Sequence, residues 1–429
     1  MDGRLTRRLA GVLNRRLPEV GLEHVNDPRR QASVRWPLAT ILTMVVTAIV
    51  AGRRSVSQLE HLSAEMSHAA RKLLGLPGRL PDTTVRDVLV ALSPDSLRGA
   101  LYRLIRAAHR RKALKPVGLP FGVVSLDGKF TVIDDDNNTY VSTLTDSSGA
   151  TSGKLGTVTA TLISAAAKPC IDAHPIHRFW GEETVYPAAL GALLVAYGAL
   201  ELFKLVVYDA GACSRANARA SVEEGLHYMF RLKKGKQPKL TAAAVGELGD
   251  RTLDQADAVV ADTYLGKPER RSVYLSEQVA TWPSWTGMRT VVRVLWELLD
   301  DEGRPIKSDE RYYVSSLPSD ELDGSQWITV ARGHWAVENN CHHTFDAVLK
   351  EDDKPWIRKN AQGALAVLLL RRIAYNILTL FRSVTQRSPS GRQTPWRDLC
   401  RWFYNMLVMV SEHHTNGLGQ RRMNANAIV

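Results

Sequence analysis

Two short apolar runs, each closed by an aspartate and a small residue, constrain this chain most. Val123, Val124, Ser125 and Leu126 lead into Asp127 and Gly128, and Leu205, Val206, Val207 and Tyr208 lead into Asp209, Ala210 and Gly211. Uncharged runs of this length bounded by turn residues read as buried strands whose ends deliver a carboxylate. If the two strands are adjacent and parallel, both carboxylates reach one sheet edge, where α/β sheets carry their chemistry. Residues 157–163 alternate as a strand does, residues 170–176 give a weaker one, and residues 185–203, rich in Ala and Leu, read as a helix. Residues 215–224 are expected to be helical. The strand over residues 227–232 runs into Lys233, Lys234, Gly235, Lys236 and Gln237, a basic end that suits a phosphate chain lying beside the two aspartates.

Residues 332–346, RGHWAVENNCHHTFD, supply the third carboxylate. On a helix, His334, Glu338, His342 and Asp346 share one polar stripe, and Val337, Cys341, Phe345 and Val348 form an apolar one beside it. One stripe can pack while the other faces a site, with Glu338 a candidate ligand for a divalent metal. A partly solvated helix carrying ionisable groups is the alternative.

Lys and Arg outnumber Asp and Glu by 56 to 44 over 429 residues, a net charge of +12, and much of the excess lies in doublets such as Arg7-Arg8, Arg110-Arg111, Arg270-Arg271 and Arg371-Arg372. Such a balance points to a polyanionic partner, nucleic acid first, although basic surfaces also occur on proteins that bind none. The four cysteines, Cys170, Cys213, Cys341 and Cys400, form no CxxC pair, which argues against a zinc ribbon or a disulfide framework. Cys341, His342 and His343 are adjacent and cannot all grip one ion from a helix. No signal peptide opens the sequence, so a cytoplasmic compartment is expected. Residues 36–52 are uncharged but sit at the lower limit of about 17 residues for a bilayer span, and a helix buried in a protein core fits at least as well.

Three regions are expected. Residues 1–115 read as an α-helical N-terminal domain, with Arg79, Arg86, Arg98 and Arg103 on helices that could include a helix-turn-helix docking on DNA; a plain bundle mediating subunit contacts remains open. Residues 116–385 read as the α/β domain, its pattern loosening over about residues 240–310 into a β-rich insert carrying Trp282, Trp285 and Trp296 as packing residues. Residues 386–429 hold a linker, a last amphipathic helix and a loose tail. Two tempting motifs fail. The calcium-loop start at residues 134–138, which includes Asp136, has Thr139 where the turn needs Gly, and the phosphate-loop lookalike at residues 149–154 is one residue short and is followed by Leu155.

The strand ending in Leu126-Asp127-Gly128-Lys129, the Tyr208-Asp209-Ala210 end, the Lys234-Gly235-Lys236-Gln237 turn, the Arg311-Tyr312-Tyr313-Val314-Ser315-Ser316-Leu317 run, the Arg332-Gly333-His334-Trp335-Ala336-Val337-Glu338-Asn339 stretch and Ile357-Arg358-Lys359-Asn360-Ala361 together resemble the H-repeat-associated group of DDE-type bacterial insertion-sequence transposases. The resemblance implies an RNase H-like catalytic domain holding Mg²⁺ or Mn²⁺ on Asp127, Asp209 and Glu338. It implies double-stranded DNA, element ends and target, as substrate and partner, with a homodimer acting on it in the bacterial cytoplasm and no membrane. Lys129, Lys233, Lys234, Lys236, Arg332, His334 and His342 would then contact phosphates or the scissile strand. Departures are present: Lys236 replaces an Asn of the family turn, Phe130, Thr131 and Val132 replace a more polar run, and His334 and Phe345 stand where the wider group has Arg and Lys. A domesticated relative that binds DNA without cutting it, and a metal-dependent nuclease that hydrolyses without joining, are the other functions open at this point.

Overall fold

The computed structural model describes residues 2–30, 34–135, 137–145, 147–278 and 285–418. Asp136, Trp282 and the end of the expected loose tail lie outside the described residues.

The chain begins with six helices: α1 (Gly3–Val20), α2 (Leu38–Val50), α3 (Val56–Glu65), α4 (His68–Leu74), α5 (Asp82–Ala91) and α6 (Pro94–Arg110). The segment weighed as a membrane span is α2, an apolar helix buried among its neighbours. Among the described residues, two helices are long and apolar enough to cross a membrane by length and composition, Glu182–Leu200 and Ala361–Thr385, and the second is wholly enclosed by protein.

A mixed α/β region follows. Its strands are β1 (Val123–Ile133), β2 (Val141–Thr145), β3 (Thr151–Leu162), β4 (Cys170–Pro175), β5 (Leu205–Tyr208), β6 (His227–Arg231), β7 (Ala258–Tyr264), β8 (Lys267–Ser276), β9 (Thr290–Leu299) and β10 (Pro305–Ser315). They form one sheet in the order β2-β3-β1-β5-β6-β10-β9-β8-β7, with β4 also on β3. β1 runs antiparallel to β3 and parallel to β5, and β5 runs parallel to β6. The parallel pairs are joined through α7 (Glu182–Tyr197) and α8 (Arg215–Glu223), as parallel strands require.

Two expectations change here. β1 does not stop at Asp127: its pairing with β3 continues to Ile133↔Gly153, whereas its pairing with β5 stops at Leu126↔Tyr208. The sheet therefore forks at Asp127, and the long antiparallel partner keeps a polar segment extended that local composition would end. The expected β-rich insert is an extension of the same sheet, because β10 pairs with both β6 and β9, and it opens with a helix, α9 (Pro238–Leu248). Leu240, Ala244 and Leu248 are buried at helical spacing, and Pro238 occupies the first turn, where its missing N–H does no harm.

Alternation along the central strands divides the core. Val124, Leu126, Val206 and Tyr208 face one way, into a cluster with Tyr186, Leu190 and Leu193 of α7. Val123, Leu205 and Val207 face the other way, against Trp327, Ile328 and Val330 of α10 (Gly324–Ala336). The sheet thus has helices on both faces. α10 starts from a capping box between Asp323 and Gln326, and its line continues as π-helical turns over Val337–His342 and Thr344–Val348.

The chain closes with α11 (Ala361–Leu380), α12 (Pro389–Arg392), α13 (Trp396–Met409) and α14 (Glu412–Thr415). α11 and α13 share a hydrophobic cluster with α1, α2, α3 and α5, so the first and last helices of the chain pack together. Several arginines expected on a basic surface are structural instead. Arg98 makes a two-pronged pair with Asp172 of β4 at 2.9 and 2.6 Å, locking α6 to the sheet. Arg103 caps the end of α1 through the carbonyls of Val20 and Gly21. Arg371 and Arg372 are buried in α11, where Arg372 pairs with Glu351.

Candidate active site

The register of β1 against β5 places the first two carboxylates. Leu126 pairs with Tyr208, so Asp127 and Asp209 each follow a paired residue on neighbouring parallel strands, which lie about 4.8 Å apart. Asp127 continues the Val123 and Ser125 side of β1, the face that α10 covers. On that face the Oγ of Ser125 lies 2.7 Å from Nδ1 of His334, which fixes the end of α10 over the strand. One turn on, where the helix widens into π geometry, Glu338 is solvent-exposed. A π turn inserted in a helix displaces the side chains after it and often occurs at functional sites.

The carboxylates feel one another. Burial pushes Asp127 up to about 6, with Asp209 adding repulsion and His334 and Lys129 opposing it. The part of the Glu338 carboxyl that is shielded from water is enough to raise it, and both Asp127 and Asp209 add to that, while Arg311 and Arg231 pull the other way. Asp127, Asp209 and Glu338, which the sequence singled out, therefore share one electrostatic neighbourhood. As they stand, no three His, Cys, Asp or Glu side chains among the described residues are gathered tightly enough to grip a single ion. The donor chemistry nonetheless fits Mg²⁺ or Mn²⁺, since the set offers hard carboxylate oxygens whose mutual repulsion a divalent cation would relieve.

The flanking residues differ in what they face. Lys129, two residues beyond Asp127, is buried, with its ammonium 2.7 Å from Asp346 and 3.3 Å from Asp352. Asp346 is thereby tied to β1, and burial pushes it up to about 6 against the pull of Lys129. Nδ1 of His342 lies 3.3 Å from Asp127 Oδ2, and its Nε2 is buried with no hydrogen-bond partner. Burial and the nearby Arg372 hold that imidazole down at about 3, so the contact is between a neutral ring and a carboxylate. His334 is likewise lowered, chiefly by burial, with Asp127 and Asp209 pulling the other way. Arg332 is exposed and paired with Asp262 at 2.9 Å. Lys233, Lys234 and Lys236 are exposed on the turn after β6, and because β6 is parallel to β5 this turn lies at the same sheet edge as Asp209. The Gln237 side chain anchors that turn to the carbonyl of Cys213.

One carboxylate at this edge is missing from the sequence-based set. Glu182, in the first turn of α7, is pushed up to about 7 by burial, then by Asp209 and Asp127. The helix was expected to begin at Val185, and a Glu in a first turn ordinarily signals only a favourable helix dipole. Its proximity to the aspartates is a product of register and packing.

The family model described as Transposase DDE domain matches residues 183–377, and a model described as DDE_Tnp_1-associated matches residues 21–105. The chain belongs to the DDE transposase family. Asp209 and Glu338 lie inside the residues matched by the Transposase DDE domain model, whereas Asp127 precedes them. Two proteins of Escherichia coli (strain K12) are similar to the chain over most of their length. "Putative protein YbfL" is 23% identical over 371 residues, covering 83% of this chain and 90% of the relative. "H repeat-associated putative transposase YhhI" is 22% identical over the same span and coverage.

Proposed function

We propose that this DDE-family chain is a transposase that cuts DNA at element ends and joins the freed ends to target DNA, using an RNase H-like catalytic domain. One observation carries this proposal: neighbouring parallel strands put Asp127 and Asp209 side by side, and α10, fixed on Ser125, brings Glu338 to the same charged neighbourhood. The chain order supports it: a first strand with Asp127, antiparallel strands beside it, a helix, a parallel strand before Asp209, and a later helix carrying Glu338. Residues 1–115 then serve as the DNA-contacting helical domain, residues 116–385 as the catalytic domain and residues 386–429 as its closing segment.

Asp127, Asp209 and Glu338 would hold Mg²⁺ or Mn²⁺. When bound, such ions steady the attacking and leaving oxygens of an in-line phosphoryl transfer. The protein's own part is placement. The exposed Lys233, Lys234 and Lys236 draw the DNA backbone to the sheet edge, and the Ser125–His334 contact keeps the Glu338 helix in register. His342, neutral and against Asp127, orients that carboxylate. Lys129 reaches phosphate only by exchanging Asp346 and Asp352 for it. On this reading the protein acts at the bacterial nucleoid, and chemistry on two element ends suggests a homodimer.

End-labelled DNA bearing the inverted repeats that flank the coding region, incubated with the protein and Mg²⁺ or Mn²⁺, tests this. Nicked and joined products are both expected from the wild type. Asp127→Ala and Glu338→Ala should yield neither while still shifting the DNA in a gel. Undiminished cleavage by either variant refutes the assignment.

A further inference from the structure

We propose that Glu182 is a fourth carboxylate of this site, reaching the aspartates from the opposite face of the sheet and helping to hold the divalent cation on the Asp209 side. The inference rests on the catalytic assignment above and adds a residue to it.

Space is the first argument. α7 packs on the face of the sheet that Leu126 and Tyr208 line, the face away from α10. To meet Asp127 and Asp209, a side chain on α7 must pass the sheet at its fork, and glycines stand there. A Cβ on Gly128 would fall 2.1 Å from Glu182 Oε1, and a Cβ on Gly211 would fall 2.9 Å from Glu182 Oε2. Neither glycine has a positive φ, so backbone conformation does not call for glycine at either position. What both positions share is that the Glu182 carboxylate fills the volume a side chain would take.

Proximity is the second argument. The same point beside Gly211 lies 2.8 Å from Asp209 Oδ1, so the Asp209 and Glu182 oxygens are less than twice a hydrogen-bond length apart. Hydrogen-bond donors at the pair are few: the Gly211 N–H serves Asp209 at 2.7 Å, and the Tyr208 hydroxyl reaches Glu182 Oε2 at 3.4 Å. Asp209 and Asp127 both repel Glu182, and the Lys154 ammonium offsets only part of that, since the net effect with burial is upward. Two carboxylates this close, with such modest compensation, form an oxygen-rich seat for a hard cation. A Glu placed only to suit the helix dipole would turn outward, as the exposed Glu183 beside it does.

Binding of Mn²⁺ alone, measured by titration calorimetry without DNA, tests this on the full chain. Glu182→Gln keeps the shape and removes the charge. Gly128→Ala keeps the charge and evicts it from its seat. Both should weaken Mn²⁺ binding by about tenfold or more, the scale of losing even an outer partner of a metal site. The control Glu183→Gln, which removes the same charge one residue along, should bind as the wild type does. Mn²⁺ affinity unchanged in Glu182→Gln overturns the inference, and so does an equal loss in Glu183→Gln, which would indicate a general field effect. If Gly128→Ala misfolds, Glu182→Gln and its control decide alone. Asp127→Ala separates the two levels. Loss of Mn²⁺ binding there, with Glu182→Gln unaffected, removes Glu182 and leaves the catalytic assignment standing. Retained cleavage and Mn²⁺ binding in Asp127→Ala removes the assignment itself.

Discussion

Neutralising Asp127 should stabilise the metal-free fold. Its carboxyl is pushed from the ordinary 3.8 to about 6, mainly by burial and then by Asp209. At about 1.4 kcal/mol per unit, a rise of about 2 units means that ionised Asp127 opposes folding by about 3 kcal/mol. The sign follows from proton binding: the folded state holds this proton more tightly than the unfolded chain, so stability falls as pH climbs from about 4 to about 6. Above that window the whole penalty is present. Asp127→Asn removes the charge and keeps the shape, so a gain of up to about 3 kcal/mol is expected. Urea unfolding in EDTA should show the variant more stable than the wild type near pH 8, and the advantage should shrink towards about pH 4.5. Adding Mg²⁺ should stabilise the wild type and leave the variant almost unmoved, because a ligand stabilises only the state that binds it. A variant less stable than the wild type near pH 8 in EDTA would refute the electrostatic reasoning, as would a gain of equal size at both pH values.

Two further outcomes follow from the geometry. Arg98→Met leaves Asp172 buried without its two-pronged partner and should destabilise the protein by about 3–5 kcal/mol, while adding Asp172→Leu should recover most of that; urea midpoints of the single and double variants check it. Replacing Lys233, Lys234 and Lys236 with Ala should flatten the fall of DNA affinity with salt by about 0.9 in the log–log slope for each phosphate no longer neutralised, and an unchanged slope in fluorescence anisotropy titrations removes that turn from the interface.

Elements whose evidence is local were legible in the sequence. Leu205–Tyr208 is a strand because four uncharged residues precede a turn, and Ala361–Leu380 is a helix because its apolar run begins after an Asn whose side chain caps Gly363 N–H. The Asp127 and Asp209 pairing was legible as a conditional, and the register Leu126↔Tyr208 satisfies the condition. Arg98 and Arg372 count towards a basic surface in the sequence because long cationic side chains look alike there whether they meet water or a buried carboxylate. Only the partners Asp172 and Glu351, separated from them in the chain, distinguish them. The turns after Ala336 were expected to be α-helical at a four-residue spacing, and the π geometry there changes that spacing without any marker residue such as Pro.

Glu182 shows why the rest was hidden. Its traces in the sequence are a first-turn Glu and two glycines far from it, at 128 and 211, each with an ordinary local explanation. They become one feature only when β1 leaves β5 after Leu126 while staying with β3, since that fork opens the sheet edge where a side chain from the α7 face can meet aspartates presented towards the α10 face. A sheet whose strands ended together would shield the two faces from each other, and Asp127 would see only the groups on its own side. The continuation of β1 past Asp127, where local composition misjudged the strand, is thus what allows the carboxylates of both layers to repel one another. It concentrates at that edge the negative charge that a divalent cation would have to neutralise before a DNA backbone could approach.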